Sequence, residues 1–304
     1  NNNLNCVTWI ENNSSKLWIL YLHTNTRSLV DAKEILPLCK LLGANLISFD
    51  LPGCGKSEGN LSFSMISDLS IVISHFLSTY HDCELIIWAR GMSTALVIEY
   101  LNNLQKTQDE HPEHSVTLSI IKYIVLDSPF LSVKKMVADA SQTITAYGVT
   151  VPSVVISFCG SFIRRSVKSQ LGSDPYDVQP IQFVPNMTIP CSILSARNDD
   201  YMPPHHGQSI YEVWGQSITP KPFCEFDIYN GRHFGIREKD IVCKPYNSIL
   251  NYVNYRPKTV EEQLLSSENQ LINLTTPNNG VFLFPGAGML RIPSNSSLAS
   301  KGSL

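Results

Sequence analysis

The sequence predicts an α/β protein, a mostly parallel central sheet with helices on both faces, and three observations carry that prediction. From Asn45 onward, short apolar runs alternate with stretches whose apolar residues recur at helical spacing. Glu84 to Leu101, ELIIWARGMSTALVIEYL, joins the two patterns directly. There the apolar run Leu85, Ile86, Ile87, Trp88 leads through small residues at alternate positions (Ala89, Gly91, Ser93) into Ala95, Leu96, Val97, Ile98 and Leu101. The same rhythm returns late in the chain, with strand-like runs at Cys191 to Leu194 and Phe223 to Ile228.

Taken in order, Cys6 to Ile10 and Leu17 to Leu22 are β-rich runs separated by the turn-forming ENNSSK, and read as an antiparallel hairpin at the sheet edge. Asp31 to Leu42 spaces Ile35, Leu38, Leu41 and Leu42 as a helix does and stops at Gly43. Asn45 to Phe49 is a strand, followed by the glycine-rich turn Asp50 to Gly59. Ile66 to Tyr80 is a helix carrying Leu69, Ile71, Val72, Phe76 and Leu77. After the strand-turn-helix at 84–101, a polar insert (Gln105 to Ser115) precedes a strand at Ile120 to Leu126 that ends in Asp127-Ser128-Pro129-Phe130. Phe130 to Gln170 breaks the rhythm with mixed helical segments, among them Val151 to Phe162, and is expected to form a small helical cap, inserted over about 130–184. The regular pattern resumes with the strand at 191, the loop Ser195 to Gly207, a helix from Gln208 to Trp214, the strand at 223, the turn Tyr229 to Gly235 and a last helix near Asp240 to Val253. Residues 1–254 are thus expected to form the α/β domain, with a Ser/Asn-rich, disordered tail at 255–304.

A chain of 304 residues with 43% hydrophobic content has ample material for one such core. A formal charge of −3 gives no electrostatic reason to expect nucleic acid as a partner. No apolar stretch has the length or continuity of a transmembrane segment. The eight cysteines are scattered without a C-x-x-C pair, as expected of reduced thiols in a cytoplasmic protein.

The strand-turn-helix is where acyl chemistry would sit. A G-x-S-x-G turn holds a serine nucleophile in strained backbone geometry, flanked by residues small enough for strand and helix to approach. Two registers fit. In one, Ala89 and Ser93 flank and Gly91 stands at the nucleophile position. In the other, Gly91 and Ala95 flank and Ser93 is the nucleophile. The second places Arg90 at the end of a central strand, where an unpaired guanidinium is costly. The first puts Trp88 there and leaves Arg90 on the turn beside the site.

A serine hydrolase of this architecture needs nucleophile, acid and histidine in that chain order. Asp199 follows the strand at 191 and is the candidate acid, with Asp200 one residue away. His233 follows the next strand and is the candidate base. Amides near Thr24 and Asn25, together with that of Met92, would form the oxyanion and substrate-binding site. His205 and His206 are adjacent, which should point their rings apart, and no third metal ligand is evident nearby. Gly53-Cys54-Gly55-Lys56-Ser57 ends like a phosphate-binding loop, but Asp50 stands where that motif needs its first glycine. No metal or cofactor is expected.

These stretches together resemble the α/β-hydrolase superfamily, particularly its serine aminopeptidase-like group. Tyr21-Leu22-His23-Thr24-Asn25 is similar to the family's strand plus H-G-N, and Asp50 to Gly59 to its D-x-x-G-x-G-x-S turn. The Leu126 to Phe130 stretch and the acid and histidine loops complete a likeness over about residues 6–253. The family elbow W-G-R-S-M-G, set beside Trp88-Ala89-Arg90-Gly91-Met92-Ser93, shares Trp, Arg and Met and so favours the Gly91 register. The resemblance implies an α/β-hydrolase fold. The departures, at Thr24, Ala89, Gly91 and Ser93, look like a degenerate reacting centre.

Two functions follow. The first is a pseudoenzyme that binds a small acyl or ester-like ligand or a protein partner. The second is an active serine hydrolase of ester, thioester or peptide-like acyl substrates, using Ser93, His233 and Asp199. A third, interaction through the tail alone, rests only on composition.

Overall fold

Runs such as Leu17–Leu22 (LWILYL) are apolar on both faces, and a strand of that kind is stable only when both sides of its sheet are covered. The protein, analysed as a computed structural model that describes residues 2–61, 65–146, 160–162, 164–169, 173–255 and 289–294, meets that requirement. Its strands are β1 (Asn2–Trp9), β2 (Leu17–Leu22), β3 (Asn45–Phe49), β4 (Glu84–Arg90), β5 (Ile121–Asp127), β6 (Cys191–Ala196), β7 (Cys224–Tyr229) and β8 (Met289–Ser294). They form one sheet in the order β7-β6-β5-β4-β2-β3-β1-β8. Strands β2 to β7 pair in parallel, and β1 is antiparallel to both β3 and β8. This is the α/β-hydrolase fold.

Alternate residues of the central strands feed two cores. Trp18, Leu20, Leu22, Leu85, Ile87 and Ala89 face one side, where α2 (Ile66–Thr79) and α3 (Met92–Thr107) bring Leu69, Val72, Phe76, Val97 and Leu101. Leu17, Ile19, Tyr21, Ile86 and Trp88 face the other, against α1 (Leu36–Leu42) and residues Ile241, Val242 and Ile249. The last three belong to two short helices, α7 (Lys239–Val242) and α8 (Tyr246–Leu250). Between them, α4 (Pro112–Ile120) precedes β5, α5 (Val133–Ala146) follows it, and α6 (Pro204–Val213) joins β6 to β7.

Four expectations need correction. Strands β1 and β2 are not a hairpin: β2 lies between β3 and β4, and β1 pairs with β3. Asn45 of β3 holds the intervening turn from the side, its Oδ1 accepting from the amides of Glu11 and Asn12. The polar insert expected at 105–115 is largely helical, since α3 runs on to Thr107 and α4 starts at Pro112. The last helix is split in two around Pro245, which has no N–H to continue it. Within the stretch after Arg256, residues Met289–Ser294 form an edge strand on β1. The rest of that stretch lies outside the described residues, as does most of Val151 to Phe162. In the expected cap, α5 is described; its Val133 packs with Ala95, Phe130 and Met202. Among the described residues no helix is long and apolar enough to cross a membrane, and seven cysteines are free thiols.

The turn after β3 is built around Asp50. Its Oδ1 accepts from the Leu29 amide at 2.8 Å, and its Oδ2 from Asn5 Nδ2 at 2.8 Å and the Lys56 amide at 2.9 Å. Gly55, at φ +52°, leaves room for that carboxylate: a Cβ there would lie 2.3 Å from it. Gly55 therefore serves the packing of the turn around Asp50. Gly55→Ala should lower stability by about 1–3 kcal/mol from backbone strain alone, with more from the displaced Asp50. Urea unfolding measures this, and an unchanged midpoint would show that the turn does not depend on Asp50.

Candidate active site at the strand-helix turn

Strand β4 ends at Arg90 and helix α3 starts at Met92, so the direction of the chain reverses through the single residue Gly91. Its φ of +57° and ψ of −122° lie in a region that favours glycine. Its amide donates to Asp127 O at 2.8 Å, which ties the turn to the end of β5. A Cβ on Gly91 would sit 2.6 Å from Thr24 Oγ1, 3.1 Å from Thr24 Cβ and 3.4 Å from His233 Nε2. Three segments far apart in sequence thus converge on the space beside Gly91.

Asp199 and His233 are joined. The loop after β6 turns so that Asp199 Oδ1 accepts from the amides of Tyr201 at 3.0 Å and Met202 at 2.7 Å. This leaves Oδ2 to accept from His233 Nδ1 at 2.8 Å. With the proton on Nδ1, Nε2 is left as an acceptor, 3.4 Å from where a Cβ of Gly91 would lie. The ring is 5% exposed, edged by Phe234 and with Tyr201 nearby. Asp199, not its neighbour Asp200, makes the contact.

Ser93 lies in the first turn of α3, 1% exposed, and its hydroxyl donates to His23 O at 2.5 Å. Among the described residues it makes no hydrogen bond to His233. Thr24 is equally buried, at 1%, and its Oγ1 donates to Asn25 Oδ1 at 3.2 Å. Met92 supplies the first amide of α3, one of the four that a helix leaves without an internal acceptor. His23, by contrast, is a structural residue. Its Nδ1 donates to Thr24 O at 2.7 Å while Nε2 accepts from the Leu51 amide at 3.0 Å. Burial lowers its pKa, outweighing the hydrogen bond to Thr24 and the nearby Asp50 and Asp31, so the ring stays neutral and its tautomer fixed.

Arg90 is not on the turn. It is the last residue of β4, 1% exposed, on the same face as Trp88. Its burial is tolerated because it is paired. Arg90 Nη1 meets Glu34 Oε2 at 3.0 Å and Nε lies 3.7 Å from Asp127 Oδ2, while Nη2 donates to His233 O at 3.0 Å and Gly235 O at 2.6 Å. Arg237 completes the arrangement, donating twice to Asp127 (2.8 and 2.9 Å) and to the carbonyls of Arg232, His233 and Gly235. Two guanidiniums thus hold the backbone of the histidine loop. Arg237 and Glu34 escape a reading of sequence. The one signal was a strand ending in Asp127 beside another ending in Arg90, since charges at such buried positions require partners.

His205 and His206 also differ from expectation. Their rings stack, with centroids 4.5 Å apart, and both Nε2 atoms approach Asp139 Oδ2, at 2.9 and 3.1 Å. Asp139 comes from α5, a third group that adjacency in sequence could not reveal. Yet the Leu131 amide donates to His206 Nδ1 at 3.3 Å, which puts that ring's proton on Nε2. A ring so arranged offers no lone pair to a metal. Burial, with His205 alongside, pushes the His206 pKa down to about 4 and keeps the ring neutral. The cluster is a clasp between α5 and α6, in which Lys135 Nζ also meets Asp139, at 2.6 Å.

No protein-family model matches the chain. It is 25% identical over 235 residues to a lysophosphatidylserine lipase, ABHD12, of Xenopus tropicalis, an overlap covering 75% of this chain and 54% of that protein. The chain therefore spans about half the length of this curated relative. Among solved structures, an esterase of Pyrococcus furiosus superposes with a TM-score of 0.56 at 18% identity, covering 83% of this chain and 84% of that one. A monoacylglycerol lipase of Paleococcus ferrophilus superposes with a TM-score of 0.52 at 15% identity, covering 82% and 99%. The structural likenesses show the α/β-hydrolase fold.

Proposed function

We propose that this α/β-hydrolase-fold protein has lost its serine nucleophile, with Gly91 standing in that place, and that its site binds an acyl-bearing ligand without turning it over. The observation that carries this reading is the position of His233 Nε2, 3.4 Å from where a Cβ of Gly91 would lie. The acid and base of a triad are in reach of a residue that has no side chain. The lipase and esterase relatives act on acyl esters, as their names state, and their likeness to this chain supports an acyl group as the ligand class. Ala95, Phe130, Val133 and Met202, with Met92 and Met136 packed against them, form a buried apolar cluster that includes the start of α3.

The alternative, catalysis by Ser93 with the Thr94 amide in the oxyanion role, requires the Ser93 hydroxyl to leave His23 O and reach His233. Its burial and its hydrogen bond to His23 O weigh against that. A fluorophosphonate probe, which labels activated serines, should give no adduct on Ser93 in the folded protein, as read by peptide mass spectrometry. An adduct on Ser93 that disappears in His233→Ala would overturn the proposal in favour of a working hydrolase.

A further inference from the structure

We infer that the outer face of α1, together with the residues beside it, docks the protein on an anionic lipid bilayer surface. Helix α1 (Leu36–Leu42, LPLCKLL) carries one charged residue, Lys40, and a helix so apolar is normally covered on all sides. Among the described residues this one is covered on one side only. Leu38, Cys39 and Leu42 are buried against the sheet, as is Ile35 at the end of the preceding turn. Leu36 and Pro37 are half-buried, and Leu41 is 43% exposed. These three line an open cleft together with Lys40, with Lys33 from the turn Leu29–Ile35 and with Lys239 from the start of α7. Val30, on the same turn as Lys33, is 54% exposed.

The cleft combines aliphatic side chains with three ammonium groups. No carboxylate lines it, and among the described residues none of the three lysines is engaged in an ion pair or a hydrogen bond. Lys16, Lys135, Lys168 and Lys244, by contrast, each meet an aspartate. The acids nearest in sequence do not neutralise the cleft. Asp31 pairs with Arg27 at 3.5 Å and Glu34 with Arg90 at 3.0 Å, while Glu238 and Asp240 lie outside the lining. An anionic surface is the complement of such a patch. A bilayer fits it better than an acidic protein does, because protein interfaces are built on aromatic side chains and arginine, which this cleft lacks, and are depleted in lysine. Lysines that keep their ammonium groups among lipid headgroups, while aliphatic neighbours reach the acyl boundary, are the pattern of attachment to a membrane surface without spanning it. With a formal charge of −3 on the whole chain, the attraction is local to this face.

Co-sedimentation of the full chain with vesicles tests this. The protein should bind equimolar phosphatidylcholine and phosphatidylglycerol and not phosphatidylcholine alone, and raising the salt from about 0.1 to about 0.5 M should weaken the binding. Each of Lys33→Gln, Lys40→Gln and Lys239→Gln should cost about fivefold in partitioning, and the three together about a hundredfold. All three side chains are exposed, so the variants should unfold in urea as the parent does. Lys106→Gln, Lys134→Gln and Lys221→Gln combined remove the same charge from exposed positions on other elements and should leave binding nearly unchanged. Leu41→Ser should weaken binding without altering its dependence on salt. No binding to the anionic vesicles overturns the inference, as does equal binding to phosphatidylcholine alone or an equal loss in the two triple variants. Polyglutamate held at the same three lysines, with vesicles left unbound, overturns it in favour of an acidic protein partner. A dimer that the first triple variant breaks, again without vesicle binding, overturns it in favour of a second copy of the chain.

Discussion

Gly91→Ser alone should leave the protein without measurable esterase activity, whereas Gly91→Ser combined with Thr24→Gly should raise ester hydrolysis about a thousandfold or more above the single variant. The expectation follows from the space around the turn. A Cβ at residue 91 lies 2.6 Å from Thr24 Oγ1 and 3.1 Å from Thr24 Cβ. Rotating Thr24 about χ1 relieves the first contact but not the second, because Cβ is fixed to the backbone. The φ of +57° adds about 1–3 kcal/mol of strain for any side chain. The single variant is therefore expected to be less stable as well as inactive.

Glycine at 24 removes both contacts and frees the loop to present its amides. From a Cβ 3.4 Å from His233 Nε2, a hydroxyl one bond further on comes within hydrogen-bond reach of that nitrogen. A serine nucleophile is worth roughly 10⁶ in kcat in a complete site. The remaining departures at Ala89 and Ser93 account for expecting only part of it. Turnover of p-nitrophenyl butyrate, with and without a further His233→Ala change, reads the result. Comparable activity in the single and double variants would show that Thr24 is no obstruction. A folded but inactive double variant would show that a serine at 91 and space at 24 are not enough for turnover.

The strand-turn-helix, the glycine-rich turn and the acid and histidine loops could all be located in the sequence, because each is a local signal: small residues at alternate positions, glycines beside an aspartate, polar residues after an apolar run. What could not be read depends on chain segments meeting. Two β-rich runs with a six-residue turn between them look like a hairpin, and only the apolar character of Leu17–Leu22 on both faces marks β2 as a central strand. Arg90 looked misplaced at a buried strand end because its partners lie elsewhere, Glu34 in the turn Leu29–Ile35 and Asp127 on β5. Arg237 has no local signature, since its partner Asp127 is 110 residues away. Asp139 reaches His205 and His206 from α5 for the same reason. The elements of the site were legible, and the charges that hold it in place were not.

Those charges lead to the second large effect. Asp127→Asn should destabilise the protein by about 3–5 kcal/mol near neutral pH, the loss typical when one partner of a buried ion pair is removed. Asp127 is fully buried between Arg90 and Arg237 and also accepts from Tyr229 Oη at 3.1 Å. Burial by itself would raise its pKa. The two guanidiniums and the hydrogen bonds from Arg237 and Tyr229 more than offset that and hold the carboxyl below the usual range. A carboxyl whose pKa is lower folded than unfolded contributes stability that is complete above the unfolded value of about 3.9 and disappears as pH falls through the folded value. Urea unfolding of both proteins across that range should therefore show a constant gap at higher pH that narrows below about pH 4. A gap independent of pH would mean that the aspartate acts through shape alone. The same substitution loosens Arg237 and Arg90 from the carbonyls of the histidine loop. The Asp199–His233 contact should then be lost at lower denaturant concentration than the core. Following the Nδ1 proton of His233 by NMR against the global unfolding curve tests that order, and simultaneous loss would show that the loop holds its histidine without the two arginines.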